Sequence, residues 1–321
     1  MKTSHLMILL SALAAVQAAG AQSWPLRPLR LVVPNAPGGG SDTVARVLAE
    51  RLTPPLGQQI VVENRAGASG RQAAEFVAKS AADGYTLLLG TGATLITARA
   101  LYGRLGFDPE KSFAPVALLA NTAYLLVVHP SVPVATVRQL IDLAKTRPGA
   151  LNYASSGAGS PSHLATELFN AMAGVRLTHI PYKGSAPGTL AVMQGECDLM
   201  FSNFVTVQPH VKLNRVKALG VSTARRTALA PEIPAIAESG LPGYEVLQYY
   251  AVVVPAGTAD SIIRRLHEEI VKHFPTPAAR RQLASQGAEI QLSTPPELAA
   301  LNAREIARWT NVINALGLQP E

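Results

Sequence analysis

A short apolar strand, a Gly/Ser-rich turn and a helix follow one another twice in this chain, and that repeated plan narrows the folds open to it. The first copy is LRLVVPNAPGGGSDTVARVLAERL, from Leu29 to Leu52. Leu29, Leu31, Val32 and Val33 form an apolar run stopped by Pro34, as in a strand buried on both faces. Ser41 or Asp42 can cap a helix whose Val44, Val47, Leu48 and Leu52 recur at helical spacing. Between strand and helix, Gly38, Gly39 and Gly40 carry no side chains, so an anion can approach backbone N–H groups at the positive end of a helix. The bland alternative is a tight turn that binds nothing. No Gly-Lys-Ser/Thr follows, and the spacing is not G-x-G-x-x-G, so the common nucleotide loops do not apply.

The second copy is LNYASSGAGSPSHLATELFNAMAG, from Leu151 to Gly174, with Ser160 at the N-cap position and Pro161 at the first helical position. Around the first copy, strands are expected at Gln59 to Val62 and Tyr85 to Leu89, the latter ending at Gly90-Thr91-Gly92. Strand, helix, strand, helix, strand with short connections indicates an α/β fold with mainly parallel sheets covered by helices. Val116 to Ala120 and Tyr124 to His129 read as strands leaving this lobe. Leu177 to Ile180, Asp198 to Phe201 and Val216 to Val221 complete a second lobe, and Leu247 to Val254 returns to the first. The expected organisation is therefore lobe 1 from 22–123 plus 247–321, with lobe 2, 124–246, inserted. Two crossing segments make a hinge.

The 321 residues, 48% hydrophobic and 15% charged, suit a globular chain of about two domains. The formal charge of +7 comes from scattered basic residues, and aromatics are 5%, which argues against a nucleic-acid partner. Residues 1–21 read as a cleaved secretory signal: Lys2, an apolar stretch from Leu6 to Val16, and Ala19-Gly20-Ala21 at the cut. Cys197 is the single cysteine, so neither an intramolecular disulfide nor a cysteine metal site is expected, and the histidines lack an H-E-x-x-H pair.

Many ordered segments carry a family resemblance: PGGGSDTVAR, VVENRAGASG, DGYTLLLGT, FAPVALLA, LVVHPSVP, LNYASSGAGSPSHLATELF, HIPYKGSAP, GECDLMF, KALGVSTARR and PEIPAIAESGLPGYE. The chain resembles Bug-type solute receptors, the extracytoplasmic components of tripartite tricarboxylate transporters. That resemblance implies a periplasmic, two-lobed Venus-flytrap binding protein, a monomer without a cofactor or metal, closing on a small organic carboxylate. It also implies that the carboxylate is held by backbone N–H groups, hydroxyls and waters. Carried over residue by residue, the contacts fall on Ala36, Gly38, Gly39, Gly40, Ser41 and Thr43, on Thr91 and Gly92, and on Ser156, Gly157, Ser160 and His163. Tyr182, Lys183 and Asn203 are further candidates. Relatives commonly carry an acidic residue after Leu-Met-Phe; Ser202 stands there in this chain, which disfavours an amino-acid ligand.

The implied partners are the permease subunits of such a transporter, or a membrane sensor kinase if the protein signals instead. An enzyme, with Ser160 as nucleophile and His163 as base, is the remote alternative. A serine and a histidine three residues apart at one helix start do not reproduce a hydrolase triad, and G-x-S-x-G is missing.

Overall fold

A computed structural model describes residues 24–103, 105–315 and 317. The segment read as a secretory signal lies outside the described residues. In chain order the strands are β1 Leu29–Val33, β2 Ile60–Asn64, β3 Thr86–Thr91, β4 Phe113–Thr122, β5 Tyr124–Val128, β6 Asn152–Ser155, β7 Thr178–Pro181, β8 Leu199–Asn203, β9 Lys217–Val221, β10 Gln248–Pro255 and β11 Ala288–Ile290. The helices are α1 Gly40–Leu56, α2 Arg71–Ala78, α3 Ala98–Tyr102, α4 Val137–Thr146, α5 Pro161–Ala173, α6 Ser185–Gln194, α7 Phe204–Lys212, α8 Asp260–His273, α9 Pro277–Ala284 and α10 Pro295–Ala315.

The strands form a six-stranded sheet, β11-β4-β10-β3-β1-β2, and a five-stranded sheet, β7-β6-β8-β5-β9. The strands of the second sheet all lie between Tyr124 and Val221, inserted between the two blocks that build the first. Parallel pairing, expected from the strand–helix alternation, holds for β2-β1-β3 and β7-β6-β8. The remaining strands run antiparallel, because β4 and β10 carry the chain to and from the other sheet, and β5 enters against β8 and β9.

Alternation along β1 explains its composition. Leu29, Leu31 and Val33 enter one apolar cluster with Val44 and Leu48 of α1, while Val32 enters the other with Ala73 and Val77 of α2. Both faces of the sheet are thus covered, and each fully buried aliphatic side chain contributes roughly 1.5–3 kcal/mol relative to exposure. The cluster holding Val32 runs on through Leu126 and Phe201 of the second sheet, Leu164 and Phe169 of α5 and Trp309 of α10, so the lobes share apolar packing.

Only Ala123 separates β4 from β5, which is one crossing. The other, around Val246, is stitched to it by Ser222. The Tyr124 amide donates to the Ser222 hydroxyl at 2.9 Å, and that hydroxyl donates to the Val246 carbonyl at 2.7 Å. Ser222 N–H donates in turn to the Tyr124 carbonyl, and Val246 N–H to the Ser222 carbonyl.

Three features differ from expectation. Helix α1 begins at Gly40 with Gly39 as N-cap, so neither Ser41 nor Asp42 occupies the cap. At Gly40 an added Cβ would lie 2.7 Å from the Tyr250 hydroxyl, so the tip of that tyrosine would have to shift. Helix α7 starts directly after Asn203, where only a strand end was expected, and β11 is an unanticipated edge strand too short to leave a periodic signal.

Candidate functional site

In sheets of this kind ligands bind outside the carboxyl ends of the strands, where loops and helix starts converge. Such a place exists between the two sheets, a cleft of about 240 Å³. Asn35 follows β1, Ser69 follows β2 and Thr91 ends β3 on one side; Ser156 follows β6, Ser185 follows β7 and Asn203 ends β8 on the other. The crossings supply Tyr124 and Gln248, whose side chains meet at 2.5 Å, Tyr124 hydroxyl to Gln248 Oε1. With its Oε1 used as acceptor, Gln248 keeps its NH₂ as a donor. Tyr124 also lies opposite Asn203 in the β5–β8 register.

The lining contains no Asp, Glu, Lys, Arg or His among the described residues. Its positive character comes instead from helix starts: Ser69 before α2, Ser160 and Pro161 at α5, Ser185 at α6 and Asn203 at α7. Of these, the α5 end is built as the sequence indicates. The Ser160 hydroxyl accepts the His163 amide at 3.3 Å, with Pro161 in the first turn. Beneath it Ser162, fully buried, accepts the Ser156 amide and contacts the Ser156 and Ser160 hydroxyls at 2.9 and 3.0 Å.

Thr91, Ser156, Ser160 and Asn203 are therefore brought together in the cleft. Gly92 lines a neighbouring apolar cavity. Ala36, Gly38, Gly39, Gly40, Ser41 and Thr43 do not line the cleft, for a local reason. The Gly38 amide donates to Asp42, and the Thr43 amide to the Gly39 carbonyl within the helix. The Ser41 hydroxyl donates to Asn35 Oδ1 at 2.7 Å, while Asn64 bridges the Asn35 carbonyl and the Asp42 carboxylate. That loop reaches the cleft through Asn35, the residue its other members hold.

Gly157 and His163 stand behind the second loop. The Gly157 amide donates to the Ser155 hydroxyl, and His163 Nδ1 accepts the Gly159 amide at 3.0 Å. Burial pushes the His163 pKa down to about 4, so the ring is neutral at pH 7 with its proton on Nε2. It stacks on His179 at 4.1 Å, and His179 stacks on Tyr153 at 4.8 Å. With Nδ1 engaged by an amide and Ser160 Oγ on the His163 amide and Ser162, the pair does not form the nucleophile–base contact of a hydrolase. Tyr182 turns to Glu196 and Cys197, and Lys183 is exposed; neither lines the cleft. Ser202 is fully buried against the Thr189 hydroxyl at 2.8 Å, so the adjacent Asn203, not Ser202, meets the cleft.

The polar lining residues that sequence reading missed are Asn35, Ser69, Thr97, Tyr102, Tyr124, Ser185 and Gln248. Ser69 had a signal, since it sits in the Gly-Ala-Ser-Gly run. Residues 67–70 all adopt positive φ, and Gly70 is packed too tightly against Pro34 and Thr94 for a side chain. The Ser69 hydroxyl meets the Tyr102 hydroxyl at 3.1 Å, and the Arg71 guanidinium lies 3.8 Å from the Tyr102 ring centre.

Residues 44–318 match the family model described as the tripartite tricarboxylate transporter family receptor, TctC. The chain belongs to this family. Among curated relatives, BugT of Bordetella pertussis is 36% identical over 92% of this chain and 91% of its own length. The solved structure of R. palustris Rpa4515 with adipate is 39% identical, with a TM-score of 0.80 over 93% of this chain and 100% of that one. MatC from Rhodopseudomonas palustris with bound malate is 34% identical, with a TM-score of 0.75 over 90% and 100%. The TctC and Bug proteins are periplasmic solute receptors with this two-lobed α/β fold, and among the described residues here no helix is long and apolar enough to cross a membrane.

Proposed function

We propose that this chain is an exported periplasmic receptor that captures a small dicarboxylate between lobes 22–123 plus 247–321 and 124–246, and delivers it to a tripartite tricarboxylate-type permease. The observation that carries this reading is the cleft lining: hydroxyls, amides and helix starts from both lobes, with no charged side chain among the described residues. A carboxylate gains roughly 1.5–3 kcal/mol from each hydrogen bond to a neutral donor in such a site, so a few donors from each lobe suffice without an ion pair. A zwitterion fits less well, because its ammonium would find no carboxylate in the lining. Dicarboxylates bound to two structural neighbours, adipate and malate, support the class.

A thermal-shift screen over dicarboxylates, monocarboxylates, amino acids and sugars tests the reading. A ligand at 100 times its Kd adds about 2.7 kcal/mol to stability, a shift such a screen resolves. Stabilisation by dicarboxylates is expected; stabilisation by sugars or amino acids alone overturns the proposal. N-terminal sequencing of the protein from its native host should begin near Gln22.

A further inference from the structure

Behind the polar cleft lies a second, smaller cavity of about 40 Å³. Ala93, Thr97, Pro161 and Gln248 border both spaces and so form the partition between them. The far walls are apolar: Ile96 from the segment after β3, Leu164 of α5, Val246 and Leu247 of the crossing, and Trp309 of α10. Ile96, Leu164, Val246 and Trp309 are each buried. The polar groups Thr97 and Gln248 lie on the partition side, so an alkyl group seated against the far walls takes mainly apolar surface out of water.

We propose that this annex receives an alkyl branch of the ligand, so that the receptor prefers an alkyl-substituted dicarboxylate to the unbranched one. The inference rests on the dicarboxylate reading above and specifies its ligand further. Size sets the limit. At about 10–15 Å³ per water-sized position, the annex has room for about three such positions, which suits a methyl or ethyl group and excludes an aromatic ring. The partition is compatible with passage, since Ala93 is small and Gln248 is drawn toward Tyr124 by their hydrogen bond. A branch seated there touches the first lobe through Ile96, the second through Leu164, and the crossing through Val246. It would therefore be bound only when both lobes are in place, which makes the annex a specificity filter in the closed protein.

Calorimetry on the unmodified protein compares succinate, glutarate and adipate with their methyl- and ethyl-substituted analogues. Each buried CH₂ equivalent is expected to tighten binding about fourfold, and an ethyl branch about 15-fold. In Leu164→Phe, which fills the annex, the ratio of branched to unbranched affinity should fall to about one. Should that variant not fold, Ile96→Ala, which enlarges the annex, should move the preference to a longer branch. Trp309 emission, read in a Trp24→Phe background, should shift with the branched acid and not with the unbranched one. Equal affinities for branched and unbranched acids in the unmodified protein overturn the annex while leaving the dicarboxylate reading intact. Binding of none of these acids overturns both.

Discussion

The Gly38 amide donates to the Asp42 carboxylate at 3.0 Å, so the first glycine loop is folded onto its own helix. Asp42 also accepts Arg46 at 2.8 Å and Asn64 at 3.0 Å while its side chain is 6% exposed. Burial by itself raises the Asp42 pKa, but the Arg46, Gly38 and Asn64 hydrogen bonds with the Arg46 charge outweigh it and hold the carboxyl below its ordinary value. Asp42→Ala should cost about 2–3 kcal/mol, because Asn64 and the Gly38 amide lose a charged partner. It should also weaken ligand binding, since Asn35 is positioned through the same network. Urea denaturation and calorimetry read the two effects. A loss of stability with unchanged affinity would show that Asn35 does not act through this loop.

Ser222→Ala is expected to destabilise by about 2–4 kcal/mol. The substitution leaves the Tyr124 amide and the Val246 carbonyl without their shared hydroxyl in a fully buried place. Chemical denaturation measures this, and a change below 0.5 kcal/mol, the ordinary range for surface substitutions, would refute it.

His163 makes stability pH-dependent. Its folded pKa, about 4, lies below the unfolded value near 6.5, so the unfolded chain takes up the proton first. The contribution is complete above about pH 6.5 and disappears as pH falls to about 4, a loss of about 3 kcal/mol. His163→Asn, whose side-chain oxygen can still accept the Gly159 amide, should flatten the melting-temperature profile in that window. Parallel profiles for the two proteins would reject the assignment.

Affinity for the dicarboxylate should depend little on salt, because the lining offers dipoles and, among the described residues, no charged side chain. Less than a threefold change in Kd between 20 and 500 mM salt, roughly, is expected by calorimetry. Lys183→Ala should change Kd by less than twofold, as Lys183 is exposed and outside the cleft. A tenfold effect of either would reveal an ion pair.

Elements with their own chemistry were legible in the sequence. Ser160-Pro161 announces the start of α5 because a hydroxyl and a proline suit those positions in any helix, and β1 announces itself by apolar residues on both faces. Thr91 and Asn203 follow from being strand ends. The glycines after β1 stand outside the cleft lining, and the Gly38 amide is bound to Asp42, a tertiary fact with no trace in spacing. Tyr124 and Gln248 are far apart in sequence and become neighbours only when two crossings align. Tyr102 arrives on a short helix whose place depends on packing beside Ser69.

The single residue between β4 and β5 has a consequence for how the receptor chooses its ligand. Ala123 brings two soft torsions, and the second crossing is laced to the first through Ser222. The lobes then have few independent degrees of freedom, much as a door on paired pins has one path. A hinge so tied should resist tilting or sliding of one lobe to meet a solute of the wrong length. Under the function proposed above, such a solute would leave the lobes short of full contact on it, so that length is sensed as closure achieved or not.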